Sequence, residues 1–283
     1  MPMVEPPDLA ASSSAGDSGV SSGGDEHERG APASPPALEL RGVSLAYGGL
    51  VALSSVSLSV PAGQVTGLIG PNGAGKTSLY DVVTGLTRPS AGRVLLHGHD
   101  ITRSRPARRA RLGLGRTFQR LELFSSLSVR DNIAVAAEAA YPLQLRRVRR
   151  RPHSDASEAV ARQLERVGLA DHASVRVDTL STGMARLVEV ARALAARPTV
   201  LLLDEPASGL DSGETDQLAG LLVDLAAGGI AVLLVEHDVE LVMRICSDVV
   251  VLDRGSVLAS GTPATIRQQR EVRDAYLGQL AVS

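Results

Sequence analysis

The chain has no tryptophan, and aromatic residues make up 2% of its 283 positions. A core must therefore be assembled from Ala, Val and Leu. One cysteine, Cys246, excludes an internal disulfide. It lies in the apolar stretch Leu241-Val242-Met243-Arg244-Ile245-Cys246 and reads as a small core residue. No apolar run approaches the roughly 20 residues that cross a bilayer. The N-terminus has neither a basic start nor an apolar stretch, so no signal peptide is expected. These absences lead to the expectation of a cytoplasmic protein whose membrane role, if any, runs through a partner. A net charge of −2 gives no general argument for nucleic acid as partner.

What is present is sharper. Gly70-Pro71-Asn72-Gly73-Ala74-Gly75-Lys76-Thr77 fits G-x-x-x-x-G-K-[ST], a phosphate-binding loop. Gln64-Val65-Thr66-Gly67-Leu68-Ile69 reads as the strand before it, and Ser78-Leu79-Tyr80-Asp81-Val82-Val83 as the helix after it. Glycines let backbone N–H groups turn inward around a polyphosphate, and the helix N-terminus adds its positive dipole end. Lys76 is expected to reach the β- and γ-phosphates, and the Thr77 hydroxyl to ligate Mg²⁺.

Residues 1–37 are rich in Ser, Gly, Pro and Ala and read as a disordered tail. Leu38 to Tyr47 and Val51 to Val60 read as half-buried strands, with another at Arg93-Val94-Leu95-Leu96. A helical insertion is expected over about 121–185. Ser128 and Asp131 have the spacing of a capping box at its first helix, and a second helix starts near Ser154. The basic run Arg146-Arg147-Val148-Arg149-Arg150-Arg151 reads as a solvated face, with acidic lipid or a membrane partner as the functional alternative. Val200-Leu201-Leu202-Leu203 and Ile230 to Val235 are unbroken apolar runs, the signature of parallel strands buried on both faces. A hairpin is expected to turn at Arg254-Gly255.

Asp204 and Glu205 follow the first apolar run. Ligands of open α/β sheets gather at the carboxyl ends of strands, where the phosphate loop also points. Asp204 is placed to hold Mg²⁺ opposite Thr77, and Glu205 to act as general base on water. Gln119, in Arg116-Thr117-Phe118-Gln119, could ligate the metal or position water, and report occupancy to the insertion. His237 follows the second apolar run and could contact the γ-phosphate.

Taken in order, these segments resemble an ATP-binding-cassette (ABC) ATPase over residues 38–280. The resemblance implies a P-loop NTPase (RecA-like) α/β core, an antiparallel β subdomain and a helical insertion. Leu180-Ser181-Thr182-Gly183-Met184 occupies the place of the family's signature, and Ser208-Gly209-Leu210-Asp211 resembles its D-loop. By that resemblance Tyr47 stacks on adenine. One ATP lies between Gly70, Asn72, Gly73, Gly75, Lys76, Thr77 and Ser78 of one subunit and Ser181 and Gly183 of a second cassette. The family's Leu-Ser-Gly-Gly-Gln has become Leu-Ser-Thr-Gly-Met; Met184 cannot hydrogen-bond as Gln would, so weaker closure is expected.

Arg116-Thr117-Phe118-Gln119, Leu123-Phe124, Val235-Glu236-His237-Asp238, Gly261-Thr262-Pro263 and Ala275-Tyr276-Leu277-Gly278 are similar to the branched-chain amino acid (amide and urea) importer ATPases. That implies integral membrane permease subunits, a place on the inner face of the cell membrane, and indirect work with an extracytoplasmic solute-binding protein. Nucleic acid is not expected as a partner. A soluble ABC machine would tend to carry paired cassettes or coiled coils, neither of which is visible. A weakly hydrolysing regulatory cassette finds support only in Thr182 and Met184.

Overall fold

In chain order, strands β1 (Leu38–Tyr47) and β2 (Leu50–Val60) form an antiparallel pair, and β3 (Val65–Ile69) leads into helix α1 (Lys76–Thr84). Strands β4 (Ala91–Leu96) and β5 (His99–Asp100), helix α2 (Pro106–Arg111) and strand β6 (Leu114–Arg116) follow. Helices α3 (Val129–Ala140), α4 (Pro152–Arg166) and α5 (Thr182–Ala195) come next. The chain then runs through β7 (Val200–Asp204), α6 (Ser212–Ala227), β8 (Ala231–Val235) and α7 (Val239–Ile245). It ends on the hairpin β9 (Asp248–Asp253) and β10 (Ser256–Gly261) and helices α8 (Pro263–Gln268) and α9 (Arg270–Ala275). This computed structural model describes residues 35–140 and 152–275. The tail expected over 1–37 lies almost wholly outside the described residues, as do the run Arg146 to Arg151 and Tyr276-Leu277-Gly278.

Two sheets result. One is antiparallel, in the order β2-β1-β4-β5. The other has the order β10-β9-β3-β8-β7-β6 and is parallel except for β10. Every residue of β3, β7 and β8 is buried. Their alternation explains why no polar face was visible in the sequence. Leu201, Leu203, Val232 and Leu234 face a core shared with α3, α4 and α5, while Val200, Leu202, Leu233 and Val235 face one shared with the antiparallel sheet. Register then fixes the site: Leu68 of β3 pairs with Val235, and Val235 with Asp204. The phosphate loop and the acidic pair therefore leave the sheet at one edge.

Local signals settle in physically intelligible ways. Arg254 and Gly255 both take positive φ (44° and 79°), which a two-residue primed turn requires. At α3, Ser128 Oγ accepts the Asp131 N–H (3.1 Å) and donates to the Asp131 carboxylate (2.6 Å). This is half of a capping box, because aspartate is one methylene shorter than the glutamate that reaches back to the backbone. Cys246 is buried, and burial pushes its thiol up to about 12.

Helix α1 is tied to the sheet by Tyr80, whose buried hydroxyl is shared between the carbonyls of Leu203 (3.0 Å) and Leu233 (2.7 Å). Tyr80→Phe removes this bridge between neighbouring strands at nearly constant volume. It is expected to cost about 1–2 kcal/mol. Urea unfolding should show a lower midpoint at unchanged slope; an unmoved midpoint would show that the bridge contributes nothing.

Candidate functional site

The phosphate loop begins where β3 ends. Gly70, Gly73 and Gly75 all have positive φ (157°, 80° and 104°), so the turn depends on them. A methyl group at Gly75 would sit 2.8 Å from the Ala52 carbonyl of β2, so the antiparallel sheet abuts the loop. Lys76 opens α1 and is buried; its Nζ donates to the carbonyls of Gly70 (2.6 Å) and Pro71 (3.1 Å). Burial pulls its amine pKa down, against the opposing pull of Glu205 and Asp204. Asn72, Gly73 and Thr77 are exposed at the loop's rim, and Ser78 is half-buried.

Asp204 ends β7 and is buried. Its Oδ2 has no hydrogen-bond partner among the described residues, and Arg116 Nη2 stands 3.8 Å away. Burial raises its carboxyl above the usual range, Arg116 opposes this, and Glu205 and Asp81 add to it. Arg116 pairs more closely with Asp81 of α1 (2.8 Å), and its guanidinium lies over the rings of Phe118 (4.8 Å) and Tyr80 (5.6 Å). The unpartnered Asp204 oxygen and the hydroxyl of Thr77, exposed in the first turn of α1, are oxygen donors of the kind that fits Mg²⁺. That ion takes oxygen ligands and keeps several waters, so it needs no cluster of protein side chains.

Glu205 takes φ 50°, an uncommon conformation for a residue with a side chain, and its N–H donates to the Val235 carbonyl (2.9 Å). Its Oε1 accepts from His237 Nε2 at 2.8 Å, so the imidazole proton lies on Nε2 when the carboxylate is ionised. Glu236, whose role was not visible in sequence, braces this pair. Its buried carboxylate accepts from the N–H groups of Ala207 (2.8 Å) and His237 (3.1 Å), and burial raises its pKa.

Gln119 lies just past β6, beside Thr117, whose Oγ1 accepts the Asp204 N–H (3.2 Å). The Gln119 side chain is exposed, but its carbonyl accepts from Arg186 Nη2 of α5. Arg186 Nη1 donates to the Phe118 carbonyl (2.9 Å) and pairs with Glu189 (3.0 Å), which accepts from Glu122 N–H (2.9 Å). Arg192 donates to the Glu122 carbonyl and lies over Phe124 (5.3 Å). The spacing Arg186, Glu189, Arg192 inside an apolar helix was the available signal for this clamp.

Ser181 is the N-cap of α5, accepting from Met184 N–H (3.2 Å). Gly183 is buried against the start of α6: a methyl group there would meet Glu214 Oε2 at 2.7 Å and Leu210 Cδ2 at 2.9 Å. The Gly209 carbonyl would lie 3.1 Å from the same methyl group, so the start of α5 packs closely on the segment 209–214. Met184 is partly buried against the core. Among the described residues, no hydrogen bond joins Ser181 to the phosphate loop. Tyr47 ends β1 opposite Leu50 and is 50% exposed.

A glycine loop heading a helix, with an acidic pair at a neighbouring strand's end, defines a P-loop nucleoside triphosphatase. A family model described as "ABC transporter" matches residues 53–208, and one described as "Branched-chain amino acid ATP-binding cassette transporter" matches 256–281. The chain is 40% identical over 253 residues to the high-affinity branched-chain amino acid transport ATP-binding protein BraF of Pseudomonas aeruginosa, covering 87% of this chain and 99% of that protein. It is 38% identical to LivG of Escherichia coli K12, a protein of the same description, with the same coverage. A solved structure of MJ1267, an ATP-binding cassette of an ABC transporter, superposes with a TM-score of 0.76 at 29% identity, over 85% of this chain and 98% of that one. The chain belongs to the ABC transporter family, as its ATP-hydrolysing cassette.

The Asp204 carboxyl gives a pH prediction. Because burial raises it in the fold, the unfolded chain loses this proton first as pH rises. Stability therefore falls from about pH 3.9, the ordinary aspartate value, up to the raised native value, and stays lower above it. Asp204→Asn removes that loss. Without nucleotide the variant should melt higher than wild type at neutral pH while losing Mg²⁺-dependent turnover; a lower melting point would contradict the assignment of strain to this carboxylate.

Proposed function

We propose that this cassette powers an importer of branched-chain amino acids or related amides from the inner face of the cell membrane. The observation that carries the reading is the convergence of Lys76, the unpartnered Asp204 oxygen and the braced Glu205 at one sheet edge. ATP phosphates take the place of the loop carbonyls on Lys76, and backbone N–H groups from Gly70 to Ser78, the Asn72 segment included, wrap them. Thr77, Asp204 and Gln119 would hold Mg²⁺, which would supply positive charge against the triphosphate. Tyr47 stacks on the adenine.

Glu205 accepts a proton from water as the water oxygen bonds to the γ-phosphorus. The bond to the bridging oxygen breaks, and ADP leaves with the electron pair. His237 holds the Glu205 carboxylate in line for this step. Two cassettes close head to tail, each supplying Ser181 and Gly183 to the other's ATP. ATP binds the closed pair better than the open one and so shifts the population towards closure.

The permease partner is supported by the exposed apolar side chains of Phe118, Leu121 and Phe124, which flank Gln119 in the segment after β6. The clamp of Arg186, Glu189 and Arg192 on that segment supports a mechanical link between it and the signature helix. Glu205→Gln is expected to lower turnover by on the order of 100-fold or more, with ATP affinity kept and an ATP-dependent dimer accumulating on gel filtration. Wild-type turnover in this variant would contradict the general-base role. With its permease and binding protein reconstituted, turnover should rise with leucine, isoleucine or valine; a response confined to unrelated solutes would overturn the substrate class.

A further inference from the structure

Away from the nucleotide site, Arg105 at the N-cap of α2 and Arg108 and Arg111 within it recur at intervals of three, all exposed. With Arg93 and Arg103 they line a groove of about 970 Å³ in which Asp100 is the lining carboxylate. Among the described residues, Arg103, Arg105, Arg108 and Arg111 have no carboxylate within ion-pair distance, and Arg93 stands 4.0 Å from Asp100. A smaller hollow sharing Gly92, Thr102 and Arg103 adds Arg88. In a chain of net charge −2, so much unpaired positive charge on one short segment is a local construction.

The platform beneath is rigid. Arg109, on the opposite side of α2, is buried and spends its guanidinium on backbone. It donates to the carbonyls of Val82 (2.7 Å), Val83 (2.6 Å), Thr102 (2.8 Å) and Ser104 (3.0 Å). Two carbonyls in the last turn of α1 thereby gain a donor, Val82 in addition to the Gly85 N–H (3.2 Å), and α2 is pinned to that end of the helix. Burial lowers the Arg109 pKa to about 10, so it stays charged at neutral pH. One arginine fixes the helix and its neighbours in sequence point outward.

We propose that this groove docks on anionic phospholipid headgroups of the membrane surrounding the permease. The inference rests on the transporter reading above. Guanidinium groups bind phosphate oxygens bidentately. The donors are exposed and spread along a helix, so they suit a sheet of many phosphates better than one enclosed free phosphate. No aromatic side chain lines the groove, so it lacks the stacking platform of a single-stranded nucleic-acid site. Sequence continuity points the same way: α2 leads through β6 straight into Phe118, Leu121 and Phe124, the proposed permease contact.

The test is co-sedimentation of the full chain with phosphatidylcholine vesicles, with and without phosphatidylglycerol. Binding is expected only with phosphatidylglycerol and should weaken as salt rises. Each arginine near an anionic surface contributes about fivefold to partitioning, so the triple variant R105Q/R108Q/R111Q should lose on the order of 100-fold. Its ATP affinity should be unchanged. Equal binding to both vesicles overturns the proposal. So does a triple variant that binds as wild type while substitution of the run Arg146 to Arg151 abolishes binding. If the triple variant loses ATP binding and so its fold, Arg105→Gln and Arg108→Gln decide singly, each with an expected loss of about fivefold. ATP turnover with detergent-solubilised permease checks the transporter reading separately, since no bilayer is present there.

Discussion

One carboxylate oxygen without a partner, at the end of an otherwise wholly apolar strand, organises this molecule's chemistry. Asp204 Oδ2 is buried and unbonded among the described residues, a costly arrangement in the absence of a cation. The surroundings moderate the cost without removing it. Arg116 stands at 3.8 Å but gives its close contact to Asp81, and Lys76 spends its ammonium on loop carbonyls. On the proposed reading, a divalent ion held with triphosphate oxygens would supply the missing charge and accept a lone pair from this oxygen at once. Binding free energy and relief of local strain are then the same event.

From this point a closed circuit of contacts runs through the site. Thr117 takes the Asp204 N–H; two residues on, Gln119 is gripped by Arg186 of α5. Helix α5 begins at Ser181, and Gly183 and Thr182 pack on Leu210, Glu214 and Gly209. That segment returns to Ala207, which Glu236 ties to His237 and so to Glu205. A shift at Asp204 or at the Glu205–His237 pair therefore meets α5 by two routes, one through backbone carbonyls and one through close packing. Such contiguity supplies the material for coupling; its strength is a separate free energy.

Much of this was legible in the chain. The phosphate loop, the acidic pair after an apolar run, and the Arg254-Gly255 turn each follow from rules that act within a few residues. Strands buried on both faces declare themselves by unbroken apolar composition. What escaped has a common physical cause. Arg116, Arg186, Glu189 and Glu236 bond largely to backbone groups or to charges far away in sequence; helical spacing marks Arg186, Glu189 and Arg192 as one face but does not name the loop backbone groups they hold. Gly183 was read for its approach to a second subunit; inside this chain it also packs closely on the segment that carries Gly209, Leu210 and Glu214.

The central claim is that Lys76 and the Asp204 oxygen together hold a metal–triphosphate complex. Calorimetric titration of ATP into the folded chain tests it most directly, run with and without Mg²⁺ and repeated on Lys76→Ala. The account predicts measurable affinity that strengthens with Mg²⁺ and disappears in the variant. A folded wild-type chain showing no affinity for ATP with Mg²⁺ present, or a variant binding as wild type, would contradict it.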